Sequence, residues 1–169
     1  MPISVRRVRA GEWRALRALR LRALAEAPNA FGSTLARESA FPDDTWRERA
    51  AAGAAGLDRV TFIAEREDGQ WCGLATGLAD DPAPGAATLV GMFVAPEARG
   101  QGAAVALVEA VAAWARERNA IRLDLFVTGT NSAAIALYRR CGFIDTGARE
   151  PLPHTPSLME WGMSRALRP

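Results

Sequence analysis

Hydrophobic and polar residues follow two different periods along the chain, which predicts a mixture of strands and helices. Ile3–Val8 alternates and is rich in β-branched residues, which predicts a first strand. From Glu12 to about Ala27 apolar residues recur every three or four positions, which predicts a helix with one buried stripe. A second helix is predicted within Phe31–Gly56, with Asp43 or Asp44 as its N-cap. The pattern identifies no element between these two helices.

The middle of the chain reads as a series of antiparallel strands. Val60–Ala64 and Trp71–Ala79 flank the pair Asp68-Gly69, which is a strong signal for a tight turn, so the two segments predict a hairpin. Asp80–Gly85 is dense in turn residues, and Ala87–Val94 then forms another apolar run. The predicted sheet therefore extends to at least three strands.

The last third of the chain returns to the helical period. Gly102–Asn119 predicts a helix, Ile121–Val127 a strand, and Asn131–Arg140 a further helix. Phe143–Gly147 and Ser157–Arg165 predict closing strands on either side of a proline-containing loop. This order predicts a mixed α/β fold with a mostly antiparallel sheet, a parallel strand pair in its middle, and helices on its faces.

Composition places the chain among ordinary globular proteins. Its 169 residues suit one domain over positions 1–169, and 49% apolar with 24% charged residues argues against disorder. No apolar run approaches the roughly 20 residues that cross a bilayer, and no signal-like stretch is present, so we expect a cytoplasmic protein without a membrane partner. A net charge of +2 gives no support for nucleic acid. Cys72, Cys141 and the lone His154 lack metal-ligand spacing, so no metal is expected.

Two glycines connect the strand at Ala87–Val94 to the helix at Gly102–Asn119. In Gly100-Gln101-Gly102 the backbone can turn tightly and approach a ligand, while the helix start directs several amides at one point, which predicts an anion site. Such a turn also serves simply to join a strand to a helix. Val105 breaks the dinucleotide-binding pattern, and a chain without lysine cannot supply the phosphate loop of kinases.

Two motifs in order resemble the Gcn5-related N-acetyltransferase (GNAT) family. The first is Arg99-x-x-Gly102-x-Ala104, which follows a strand that ends in Val-x-Pro. The second begins about 30 residues later. It consists of Asn131, Ala134, Leu137, Tyr138, Gly142 and Phe143. The resemblance is sharp over Ala87–Phe143 and implies a V-shaped gap between the two parallel strands. It also implies transfer of an acetyl group from acetyl-CoA to a primary amine by direct attack on the thioester.

The resemblance also assigns roles to individual residues. The backbone of Met92, Phe93 and Val94 is expected to bind the pantetheine arm and the acetyl carbonyl. The residues expected around the pyrophosphate are Arg99, Gly100, Gln101, Gly102, Ala103 and Ala104. Asn131 is expected to contact the coenzyme and, as an N-cap, to satisfy backbone amides. Tyr138 matches the general acid, since a pKa near about 10 suits protonation of a thiolate; the alternative is that it only packs under its helix.

The general base and the acceptor contacts stay open at this point. No carboxylate lies in Ala87–Val94, where some relatives carry one. The carboxylates that could act through water are Glu38, Asp80, Asp81 and Asp124. An α-amine with a pKa near about 8 also needs little help. His154, in the proline-containing loop, and Arg20, on the apolar side of the first helix, either reach the acceptor or lie in solvent.

Three functional alternatives follow. The acceptor amine belongs to a small molecule or to a protein, and the sequence favours neither. A non-catalytic acyl-CoA sensor would keep the phosphate turn, but it would not need Tyr138. A purely structural domain would leave the glycine turn without a ligand. Members of the family are often homodimers, and no residue here identifies such an interface.

Overall fold

A seven-stranded sheet forms the centre of the protein in a computed structural model that describes residues 2–79 and 85–168. The strands are β1 Ile3–Arg7, β2 Arg59–Arg66, β3 Trp71–Leu78, β4 Ala86–Val94, β5 Arg122–Thr128, β6 Ile144–Leu152 and β7 Thr155–Ala166. Their spatial order is β1-β2-β3-β4-β5-β7-β6, and every neighbouring pair is antiparallel except β4 and β5. The predicted fold class, with a parallel pair inside a mostly antiparallel sheet, is confirmed.

Within residues 2–79 and 85–168, five α-helices cover the two faces of this sheet. They are α1 Trp13–Glu26, α2 Leu35–Ser39, α3 Asp43–Ala55, α4 Ala103–Glu117 and α5 Ser132–Arg140. A Cβ on Gly53 of α3 would stand 2.7 Å from the Thr61 hydroxyl, and Thr61 pairs with Thr76 across the sheet. A Cβ on Gly77, the next residue of β3, would instead meet Trp114 of α4 at 2.9 Å. Because successive strand residues point to opposite faces, α3 and α4 lie on opposite sides of the sheet.

The helix ends show where the hydrophobic pattern was sufficient and where it was not. The predicted stripe on α1 is buried as expected: Trp13, Leu16, Leu19 and Ala23. The N-cap of α3 is Pro42, whereas Asp43 and Asp44 lie in the first turn and make no capping hydrogen bond. Their charges still favour the helix start, because carboxylates there complement the helix dipole.

The C-terminal hairpin is longer than predicted. β6 reaches Leu152 and β7 begins at Thr155, so only Pro153 and His154 form the turn, and the predicted proline-containing loop is wrong over most of its length. Pro151 lies within β6, which is an edge strand. An edge strand has one side without a ladder partner, so a residue that lacks an N–H is tolerated there.

A β-bulge separates the ends of the two parallel strands. Leu74 pairs with Phe93 and Thr76 with Val90, so two β4 residues, Gly91 and Met92, face a single residue of β3. Gly91 takes a left-handed φ of 63°, which explains the glycine. β4 and β5 pair only over Ala86–Thr88, while β5 continues beside β7 up to Thr128. The two parallel strands therefore separate and leave a gap.

One continuous buried cluster includes residues of both helix layers and of the sheet. Cys72 and Cys141 are buried free thiols. Within the described part of the chain, no helix is both long and apolar enough to cross a membrane. The turn predicted at Asp80–Gly85 lies almost entirely outside the described residues.

Candidate active site

Two cavities of about 340 Å³ each meet at the bulge of β4. The first, which we call the α5 cavity, extends from β4 and β5 to α5 and includes Thr128 and Leu137. The second, the α1 cavity, extends toward α1 and α3 and includes Leu16 and Trp46. Residues that line both cavities are Ala30, Phe31, Leu89, Val90, Gly91 and Phe126. A molecule in one cavity can therefore reach a molecule in the other at this junction.

The α5 cavity collects most of the site residues that the sequence predicted. Those that line it are Met92, Phe93, Val94, Arg99, Ala104, Asn131 and Tyr138. Gly100, Gln101, Gly102 and Ala103 are not lining residues. Gly100, Gln101 and Gly102 form the turn that precedes α4, and Ala103 is the first residue of the helix. All four lie between Arg99 and Ala104, which line the cavity, so they lie at its margin.

The glycine turn has the geometry of an anion cradle. Gly100 and Gly102 have φ angles of 76° and 86°, and a Cβ on either residue would meet no atom within 4 Å. Gly102 is the N-cap of the 15-residue helix α4, whose first helical bond runs from Ala106 N–H to the Gly102 carbonyl, and no side chain caps this end. The amides of the first turn therefore face open space with the positive end of the helix dipole behind them.

The last residue of β4 presents its backbone to the gap. Ala95 N–H donates to the Cys72 carbonyl at 2.8 Å, toward β3, so the backbone groups of Val94 are directed to the opposite edge. There Arg99 Nε donates to the Val94 carbonyl at 3.1 Å. The Phe93 side chain is buried in the core. One strand thus carries a side chain that packs in the core and backbone groups that face the gap.

Asn131 begins α5 as its N-cap. Its Oδ1 accepts a hydrogen bond from Ala134 N–H at 3.1 Å, so the capping interpretation is confirmed. Asn131 also lines the α5 cavity, which places it within reach of a molecule bound there. Contact with a coenzyme stays a prediction.

Tyr138 is buried in α5, with its ring 5.7 Å from that of Phe143 in an edge contact. Burial, together with the nearby Cys141, raises the pKa of Tyr138 far above its ordinary value. Its hydroxyl makes no hydrogen bond to any residue that the structure describes. Tyr138 is therefore held in its protonated form, with a proton available at the edge of the α5 cavity.

Arg20 and Arg49, which line the α1 cavity, belong to an ion cluster centred on the buried Glu38. Arg20 donates through Nε and Nη2 to the two carboxylate oxygens at 3.0 Å each, and Arg49 donates to Oε1 at 2.9 Å. Burial by itself would raise the pKa of Glu38, but the hydrogen bonds and the charge of Arg20, with smaller contributions from Ser33 and Arg49, lower it to about 2. A carboxylate this acidic and this firmly bound is a weak base. Arg20 lies toward the cavity and not in solvent.

The other open candidates are placed as follows. Asp124 accepts hydrogen bonds from Ser164 and Arg122 and lines neither cavity. Asp80 and Asp81 lie outside the described residues. His154 lies 2.8 Å from the Phe31 carbonyl through Nε2, so it holds the segment that covers both cavities.

Glu160 is the residue that the sequence analysis missed. It lies in β7 and lines the α1 cavity, and its carboxylate has no ion pair or hydrogen bond to the described residues. Burial and the neighbouring Glu150 raise the pKa of Glu160, while His154 acts in the opposite direction. A strand was predicted here, but the pattern of β7 could not tell which side chains face a cavity.

Comparisons with known proteins agree with this geometry. The family model described as "Acetyltransferase (GNAT) family" matches residues 21–143. Streptothricin acetyltransferase of Streptomyces lavendulae is 38% identical over 109 residues, which are 63% of this chain and 57% of that protein, so the chain spans little more than half of the relative's length. The crystal structure of nourseothricin acetyltransferase is 30% identical over 76% of this chain and 69% of its own, with a TM-score of 0.61.

Two further solved structures share the fold over nearly the whole chain. A Gcn5-related N-acetyltransferase from Kribbella flavida covers 97% of both chains at 23% identity, with a TM-score of 0.77. A protein from Salmonella typhimurium, solved with its cofactor acetyl-CoA, covers 100% of this chain and 96% of its own at 16% identity, with a TM-score of 0.80. The chain therefore belongs to the acetyltransferase (GNAT) family, as its two motifs predicted.

Proposed function

We propose that the protein is an N-acetyltransferase that moves the acetyl group of acetyl-CoA to a primary amine of a small molecule, with streptothricin-type compounds as first candidates. The observation that carries this proposal is the meeting of the two cavities at the bulge of β4. The names of two relatives, a streptothricin and a nourseothricin acetyltransferase, support the acceptor class.

The α5 cavity and the glycine turn suit the coenzyme. The open space above Gly100 and Gly102 would hold the pyrophosphate against the first-turn amides of α4. The Val94 backbone, which is directed to the free edge of β4, would bind the pantetheine arm, and Met92 and Asn131 would contact it from the lining of the cavity. The backbone groups of Phe93 are directed toward β3, so the expected contact through them is not part of this proposal. Acetyl-CoA supplies an activated acyl group as a thioester, and its carbonyl would lie near the junction of the cavities.

The reaction needs two proton transfers, and Glu160 and Tyr138 would each carry out one of them. As the acceptor amine forms its bond to the acetyl carbon, the carbon–sulfur bond breaks and the amine loses a proton. Glu160, whose carboxylate forms no ion pair or hydrogen bond with the described residues, receives that proton directly or through water. Tyr138 donates its hydroxyl proton to the departing sulfur, and burial around it also makes a thiolate more basic. Cys72 and Cys141 line neither cavity, in keeping with direct transfer.

The size of the α1 cavity favours a small acceptor. A volume of about 340 Å³ lies at the low end of the range for ligand pockets. A small amine, or the reacting end of a larger one, would fill it. A sensor without turnover is the alternative, but it would have no use for a protonated Tyr138 beside a carboxylate-bearing acceptor cavity.

The remaining parts of this proposal concern metal ions, domain organisation, location in the cell and oligomeric state. Action without a metal ion stays a prediction; among the described residues, no three or more His, Cys, Asp or Glu side chains form a metal-binding group. A single domain over residues 1–169, a cytoplasmic location and self-association into a homodimer stay predictions.

Release of free thiol from acetyl-CoA, together with thermal shift, tests the proposal. The acceptors would be streptothricin, nourseothricin, spermidine and a peptide with a free α-amine. Acetyl-CoA at a hundredfold excess over its dissociation constant is expected to stabilise the protein by about 2.7 kcal/mol. Release that depends on streptothricin or nourseothricin supports the proposal. A thermal shift without release from any acceptor would favour the sensor, and the absence of both would refute coenzyme binding.

A further inference from the structure

Arg20 occupies a fixed position in the α1 cavity. Glu38, whose side chain is only 1% exposed, accepts from both Nε and Nη2 of Arg20 at 3.0 Å. Arg49 holds the same carboxylate at 2.9 Å. The guanidinium also lies over the Phe31 ring, with its central carbon 4.8 Å from the ring centroid. Its plane is therefore set before any ligand binds, and little freedom is left to lose on binding.

The remaining corner of this guanidinium faces the junction of the two cavities. Nη1 makes no hydrogen bond to the described residues. It lies 3.6 Å from the point where a Cβ on Gly91 would stand, and Gly91 forms part of the bulge where the cavities meet. The N–H groups of Nη1 are thus available beside the junction, where the proposed function brings the acceptor amine to the thioester.

The chemistry of this corner restricts the acceptor. A positive charge beside the amine favours its neutral, nucleophilic form. The two donors require an oxygen, because an alkyl chain against them would leave a partly desolvated cation unsatisfied. A planar guanidinium suits a carbonyl or carboxylate oxygen best. Glu160 lines the same cavity, and its carboxylate can accept a hydrogen bond from the amine.

We propose that Arg20 binds a carbonyl or carboxylate oxygen beside the reacting amine, so that the acceptor is an amino acid or an aminoacyl group. The inference rests on the proposed function and makes it narrower. Because Arg20 recognises the acceptor and does not take part in proton transfer, its role is to position the amine and to select among amines.

Three related amines test this selection. They are leucine, leucinamide and 3-methylbutylamine, which share one apolar chain and carry a carboxylate, a carbonyl or no oxygen. Their chain suits the apolar lining formed by Leu16, Phe31 and Leu74. The wild-type protein is expected to acetylate leucine or leucinamide with a kcat/KM at least about 10-fold above that of 3-methylbutylamine. The comparison of leucine with leucinamide shows whether Arg20 recognises a carboxylate or a carbonyl oxygen.

Arg20→Lys keeps the charge beside Glu38 but loses the planar fork. It is expected to remove most of the preference, because kcat/KM for leucine or leucinamide should fall by a larger factor than kcat/KM for 3-methylbutylamine. Arg17→Lys is the matched control, because Arg17 lies one turn earlier on α1 and lines neither cavity. The acetyl-CoA thermal shift of each variant shows whether the coenzyme site is intact.

Equal rates for all three amines in the wild type would overturn the inference. So would an Arg20→Lys variant that slows all three by the same factor, which would place Arg20 near the thioester carbonyl instead. Streptothricin is measured in parallel. If the wild type acetylates streptothricin but none of the three amines, only this inference falls; if it acetylates nothing, the proposed function falls with it.

Discussion

Glu38 is the side chain whose loss is expected to destabilise the fold most clearly. Glu38→Gln keeps the size of the side chain but removes its charge. Arg20 and Arg49 would then face a neutral amide at a place where Glu38 itself is fully buried. Removing one partner of a buried ion pair is costly because it leaves an uncompensated charge in a poorly solvated site.

The size of this effect follows from the pKa of Glu38. The ion pairs lower it from 4.5 to about 2, a difference of about 2.5 pH units, and each unit corresponds to about 1.36 kcal/mol. The ionised carboxylate therefore contributes about 3 kcal/mol to the free energy of unfolding at pH 7. In a chain of this length that is a decrease in Tm of roughly 6–12 °C.

The sign of the pH dependence is fixed by the direction of the shift. Because the pKa is lower in the folded state, the stabilisation is complete above the unfolded pKa and is lost as the pH falls from about 4.5 to about 2. The wild type and Glu38→Gln should therefore converge in acid. By about pH 3 less than half of the difference should remain.

Urea denaturation of the two proteins at neutral pH and near pH 3 measures this difference. Glu97→Gln is the matched control, since Glu97 also has a bidentate arginine partner, Arg22, at 2.8 Å, and a pKa that this hydrogen bond lowers to about 2. That pair is exposed, so solvent and salt screen it and its loss should cost much less. The reasoning is refuted if the two variants unfold at the same urea concentration, or if the Glu38 effect does not change with pH.

The remaining predictions concern the proposed site. Gly102→Glu should abolish the thermal shift that acetyl-CoA causes, because it places a side chain and a negative charge in the anion cradle. Gly147→Glu is the control: Gly147 is a remote glycine with the same φ of 86° and equally open space, so this variant carries the same backbone strain but should keep the shift. A normal thermal shift for Gly102→Glu would contradict the anion cradle. Tyr138→Phe should keep that shift but lower kcat by about 10²-fold or more, and an unchanged kcat with chemistry limiting would exclude it as the acid. In the wild type, the rate should fall as the pH decreases through the raised pKa of Glu160, and Glu160→Gln should remove this decrease. Glu150→Gln, which changes the exposed neighbour of Glu160 in β6, should keep it. The same pH–rate profile for the wild type and Glu160→Gln would exclude Glu160 as the base.

Local signals were enough for the part of the site that is built from backbone. Gly102 and Asn131 could be recognised because a positive φ and an N-cap each depend on a few neighbouring residues. The same holds for the stripe of α1, whose burial follows from the helical period. Arg20 interrupts that stripe, and its direction could not be predicted, because its partner Glu38 comes from a short helix that the pattern did not identify.

Side chains that face the acceptor depend on long-range placement. Glu160 reaches the α1 cavity only because β7 inserts between β5 and β6 in the sheet. A one-residue change of register would turn its side chain to the opposite face. The predicted loop before β7 was wrong for a related reason, since Pro151 is compatible with a strand only once that strand is known to lie at an edge.

The sequence by itself determined the family, the sheet with its parallel pair, the glycine turn and the position of Tyr138, because short-range periodicity and two closely spaced motifs carry that information. The tertiary structure decided which charged groups meet. Arg20, Glu38 and Arg49 come from three helices, and Glu160 comes from the far end of the chain. Burial and charge pairing act between residues that are distant in sequence. Only the folded arrangement therefore holds Glu38 as an ion-paired carboxylate with a lowered pKa and leaves Glu160 as the candidate base with a raised pKa.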